Sequence, residues 1–149
     1  MRRQSVLKRA FVIALGVVVA ACSGGFLEPD RTPSLRTILS GIALYKQTYK
    51  TYPPSLSALG GVPSTCNTAA TSANACLIDN VLASGEKSGY RYHYEAFGTA
   101  RTTSFDAFTV TADPLIDERK NQRHYFSDQT GVIRVETGRR ATATSPPVN

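Results

Sequence analysis

Apolar positions follow three different patterns along this chain. From Ala10 to Cys22 they run almost unbroken, AFVIALGVVVAAC. From Leu35 to Tyr49 they recur at helical spacing. Leu35, Ile38, Leu39, Ile42, Tyr45 and Tyr49 share one face, while Arg36, Lys46, Gln47 and Lys50 point elsewhere. From Tyr90 the period drops to two, placing Tyr90, Tyr92, Tyr94 and Ala96 on one side of a strand and Arg91, His93, Glu95 and Phe97 on the other.

These patterns predict a definite order of elements. Thr32 is a suitable N-cap and Pro33 a suitable first residue for the helix, which Pro53 and Pro54 are expected to stop. Gly41 within it implies that a strand approaches closely. PPSLSALGG, residues 53–61, predicts one helical turn with a glycine cap. A second short helix is expected from Cys76 to Ser84, with Leu77, Ile78, Val81 and Leu82 as its apolar face and Gly85 as its cap. Strands follow at 90–97, 105–112, 123–127 and 132–136, the last two joined by a tight DQTG turn. The fold class expected is α+β: an N-terminal amphipathic helix packed on a four-stranded antiparallel meander, with a cysteine-containing loop between helix and sheet.

Charge changes the picture at the N-terminus only. The formal charge is +6, but Arg2, Arg3, Lys8 and Arg9 all precede the apolar run, and the remaining 13 basic and 11 acidic residues leave +2. That is an ordinary solvated surface, without the basic stripe that nucleic-acid binding requires. The apolar run has 13 residues, whereas a helix crossing a bilayer needs roughly 20. A basic segment, a short apolar stretch and small residues at its end read as a secretory signal. An uncleaved short anchor and a buried helix are the alternatives. The domain plan is a signal peptide at 1–21, of the lipoprotein type by the resemblance of VAAC (Val19 to Cys22) to a lipobox, a flexible tether at 22–32, a globular domain at 33–137 and a disordered tail at 138–149.

The end of the apolar run, VAAC at Val19 to Cys22, resembles the bacterial lipobox. The resemblance implies cleavage before Cys22, acylation of its thiol and acylation of the new amine. Two or more acyl chains anchor a protein stably where one does so only marginally. Ser23 after the cysteine implies the outer membrane, facing the periplasm.

The stretches SLRTILSGIALYKQTYKTYPPSLSALGG, CLIDNVLASGEKSGYRYHYEA, FTVTADP and QRHYFSDQTGVIRV, spanning Ser34 to Val135, resemble the globular head of type IV pilin-like proteins, among them the major pseudopilins of type II secretion. The resemblance implies a four-stranded sheet against the C-terminal half of a long helix. A pilin also carries an apolar, polymerising helix behind a glycine leader. Here Gly24, Gly25 and Phe26 are followed by LEPDR, so a lipid attachment site stands where that helix would begin. The expected function is that of an exported, lipid-anchored, non-enzymatic structural or interaction component, as in a type IV pilus or type II secretion apparatus. Its partners would be a membrane, through acyl chains on Cys22, and a protein of an envelope assembly, with no cofactor. Two other readings stand beside it. One is a true pilin subunit keeping residues 10–22 as its anchor. The other is a lipoprotein that binds a small ligand or glycan through a tyrosine-rich sheet face.

Few residues carry candidate chemistry. Cys66 and Cys76 lie 10 apart in an exported domain, so a disulfide is expected; a redox pair or metal ligands are the rivals. His93 and His124 fall on strands and read as surface or half-buried residues rather than catalytic ones. Glu95 and Asp106 are expected to be strand-face charge. Asp113, Asp117, Glu118 and Asp128 offer hard oxygen ligands for calcium, but without the spacing of a defined loop. No metal ligand and no catalytic residue is assigned.

Overall fold

Leu35, Ile38, Ile42 and Tyr45 are each at most 2% exposed, and they fix the inner face of α1, Thr32–Tyr49. A computed structural model of the chain describes residues 32–67, 69–98, 104–116 and 121–148. The side chains of Thr32 and Pro33, expected to open the helix, lie outside the described residues, as do the signal peptide and most of the tether. The helix ends before the two prolines expected to stop it. Lys50 turns left-handed at φ 63°, and its N–H donates to the Lys46 carbonyl at 3.0 Å. Its ammonium caps a further carbonyl, that of Gln47, at 2.8 Å. The helix thus closes on itself one turn before proline could act.

After α1, the N–H of Tyr52 donates to the Phe105 carbonyl, and the N–H of Phe105 donates to Thr51 Oγ1. A 3₁₀ turn, Leu56–Leu59, forms where one helical turn is expected. Two further single turns are α2, Pro63–Cys66, and α3, Asn80–Ala83. The helix expected from Cys76 is confined to α3. Asp79 takes the N-cap position, its carboxylate accepting from the Leu82 N–H at 3.0 Å. Ahead of it, the N–H groups of Ala75, Cys76 and Leu77 donate to the carbonyls of Ala58, Gly60 and Leu59. Gly41 makes room for Leu77 and Ile78, not for a strand: a Cβ there would meet Ile78 Cγ2 at 3.0 Å.

The expected α+β class with a four-stranded meander is corrected by the structure. The described residues build mostly an antiparallel five-stranded sheet, in the order β1 (Glu86–Lys87), β2 (Tyr90–Gly98), β3 (Phe105–Pro114), β4 (Arg123–Asp128) and β5 (Arg134–Thr137). Among the described residues α1 is the one helix longer than a single turn. The added strand has a local cause. Ser88 and Gly89 both have positive φ, 54° and 81°, the geometry of a type I′ hairpin turn, and they fold Lys87 back onto Tyr90. The last hairpin also differs from expectation. Gly131 turns left-handed and donates to the Asp128 carbonyl, but Val132 and Ile133 remain outside the ladder, which resumes at Arg134.

One core joins the layers. Tyr90, Tyr92, Phe108, Val110, Ala112 and Tyr125 line the inner sheet face in the same buried cluster as the apolar face of α1. The tyrosine hydroxyls are satisfied by backbone: Tyr45 Oη donates to Ser72 O, Tyr90 Oη to Arg123 O and Tyr94 Oη to Pro53 O, all within 2.9 Å.

The C-terminal segment, expected to be disordered, is held against the sheet. The Val135 N–H donates to the Pro146 carbonyl, the Val148 N–H donates to the Ile133 carbonyl, and Arg134 and Pro147 form an isolated antiparallel bridge. Ala141 and Ser145 are buried. Low-complexity composition misleads here because an edge strand needs backbone groups and small side chains more than apolar bulk.

Candidate functional site

Cys66 closes α2, and Cys76 is held left-handed at φ 55°, its N–H donating to the Gly60 carbonyl. The two sulfurs form the expected disulfide, at 2.03 Å. The packing around it explains the neighbouring glycine pair. A Cβ on Gly61 would stand 2.5 Å from the Cys76 sulfur and 2.8 Å from that of Cys66, and a Cβ on Gly60 would stand 2.5 Å from that of Ala83. Gly60 itself has φ −83°, so close approach rather than left-handed geometry demands glycine. Tyr45 on α1 reaches the loop through Ser72. Closing 10 residues in this way stabilises by about 2–3 kcal/mol in the chain-entropy model.

The outer sheet face carries the charge. Glu86 lies opposite Arg91, Arg91 opposite Asp113, and His124 opposite Glu136. Arg91 pairs with Glu86 at 2.8 Å, and His93 with Glu95 at 3.1 Å. Between β3 and β4, His124 Nδ1 donates to Asp113 Oδ1 at 2.7 Å. Arg140, from the C-terminal segment, approaches the other carboxylate oxygen at 3.5 Å. Farther along, Ser145 Oγ and Arg139 donate to Glu136. Arg91, His93, Thr111, Asp113, His124 and Arg140 line a cleft of about 390 Å³.

A histidine–aspartate pair is a component of general-base catalysis, but there the imidazole must reach a substrate. His124 is 2% exposed, and its Nε2 is buried. The arrangement is built to fasten the C-terminal segment across the sheet. Sequence reading placed His124 at the surface or half buried and missed this pair. The available signal was register: Ala112 faces Tyr125, so their outward neighbours Asp113 and His124 meet.

Other candidates separate. His93 is exposed on β2 and pairs with Glu95, while Asp113 pairs with His124. Of the four carboxylates considered for calcium, Asp113 is engaged by His124 and Arg140, and Asp128 accepts the Thr130 N–H in its own turn. Asp117 and Glu118 lie outside the described residues, as does Cys22. Among the described residues no group of three or more histidine, cysteine, aspartate or glutamate side chains converges on one point. Tyr90 and Tyr92, needed at the surface by a glycan-binding face, are about 5% exposed and belong to the core.

No helix among the described residues is long and apolar enough to cross a membrane. No protein-family model, curated protein or solved structure matches the chain.

Proposed function

We propose that this chain is an exported, lipid-anchored, non-enzymatic interaction component of a bacterial cell envelope, held at a membrane by acyl chains on Cys22. The observation that carries the reading is the pairing of VAAC, behind a basic and apolar leader, with a domain closed by the Cys66–Cys76 disulfide. A disulfide persists in an oxidising compartment, which is where a lipobox would deliver the domain. The likeness of Ser34 to Val135 to pilin-like heads adds the class of work: surface contact within an envelope assembly, such as a pilus or secretion apparatus. The lipid would set location, and the sheet and helix surfaces would meet the partner.

The matching experiment is Cys22→Ala in the full chain, expressed in a Gram-negative host. The expected result is loss of the membrane-bound form that detergent releases from wild type, with accumulation of unprocessed precursor. Unchanged processing and membrane retention of the variant would contradict the reading.

A further inference from the structure

The two edges of the sheet are treated differently. At the β5 edge the C-terminal segment supplies an extra pairing strand, and Pro146 and Pro147 in it have no N–H to offer onward. That edge is closed to another chain. At the other edge β1 covers only Tyr90 and Arg91 of β2, and the Tyr92 N–H donates to Gly85 O at 2.7 Å. Backbone groups two residues apart point the same way along a strand, so those of Tyr94 and Ala96 face outward beyond the end of β1. Among the described residues nothing pairs with them. Phe97, 47% exposed, stands on this margin, and Glu95 beside it is exposed too. The edge carries neither proline nor lysine, the usual protections.

We infer that the β2 edge from Tyr94 to Gly98 is a self-association surface on which a second copy of this chain pairs antiparallel about Ala96, joining two sheets into one. The register follows from side chains. Centring on Glu95 would set two carboxylates directly opposite each other, which is unfavourable. Centring on Ala96 sets Ala96 against its own copy and Tyr94 against Gly98, where the small residue leaves room for the ring. Glu95 then faces Phe97 of the other copy, and the two Phe97 rings become diagonal neighbours, about 7–8 Å apart and within aromatic reach. Pairing therefore covers an exposed ring on each chain and satisfies the outward backbone groups. Because the β5 edge is already occupied, the contact closes as a two-fold dimer and does not propagate into a fibre.

The test is the mass of the full chain in detergent by light scattering across a dilution series, compared with Ala96→Pro. The Ala96 N–H points away from β3, so proline there leaves the ladder to β3 intact while deleting the central bonds of the contact. Phe97→Lys is the second variant, with the backbone unaltered. The expected result is a wild-type dimer that dissociates on dilution, and weakening by about tenfold or more in each variant, since paired bonds or the aromatic contact are lost together. Should Ala96→Pro lose its near-ultraviolet signature of folded tyrosines, Phe97→Lys decides alone. A wild-type monomer at every concentration, a dimer unaffected by Phe97→Lys, or assembly into open-ended polymers would overturn the inference.

Discussion

Tyr94 ties the sheet to the segment that follows α1. Its ring stacks on Phe108, with centroids 5.8 Å apart, and its hydroxyl donates to the carbonyl of Pro53, beyond the end of α1. Burial raises its pKa well above the ordinary phenol range, and Tyr52 and Tyr45 add to the effect. Burial raises Tyr45 too, with Tyr49 contributing. The folded state therefore keeps protons that the unfolded chain gives up above about pH 10. The linked stability is fully present below that pH and declines as pH rises past it. Replacing Tyr94 with Phe is expected to lower stability at pH 8 by about 1 kcal/mol, through the lost bond to Pro53, and to make the alkaline decline shallower. Urea unfolding at pH 8 and pH 11 checks both; equal slopes for wild type and variant would contradict the assignment.

Elements were legible where one periodicity ran long enough to dominate. Leu35 to Tyr49 and Tyr90 to Phe97 show helical and alternating spacing, and their buried faces follow it. β1 was not legible because two residues make no pattern; only Ser88-Gly89 hinted at the turn that creates it. The Cys76–Ile78 stretch reads as helical by its apolar content, yet Cys76 is held left-handed in the disulfide loop and the following backbone pairs with the 3₁₀ turn. The C-terminal segment was hidden for the opposite reason: ATATSPPV shows no apolar period, and it is held by backbone bonds to β5, by Arg140 and Ser145 reaching Asp113 and Glu136, and by Val148 against the core. Ending the chain after Gly138 is expected to destabilise by about 1–3 kcal/mol and to promote new association through the bared β5 edge. Chemical denaturation together with light scattering reads both effects. An unchanged midpoint would mean that the segment merely rests on the sheet.

Across the whole molecule, the candidate site was only partly readable. The disulfide followed from compartment and spacing, because both cysteines lie in one short loop. The His124–Asp113–Arg140 cluster did not, because it depends on strand register and on a segment whose composition resembles a frayed end. Among the described residues there emerge a charged outer face fastened by the C-terminal segment, a tyrosine core under α1 and an open strand edge at Tyr94 to Gly98. Within this arrangement the buried His124 ring is held by Asp113. The proposed function turns on whether Cys22 is cleaved and acylated. The most direct measurement is the intact mass of the protein extracted from the membrane fraction. The expected species begins at Cys22 and carries added acyl mass, with Cys66 and Cys76 oxidised. A species beginning at Met1, or one beginning at Phe26 with a methylated amine, would contradict the account.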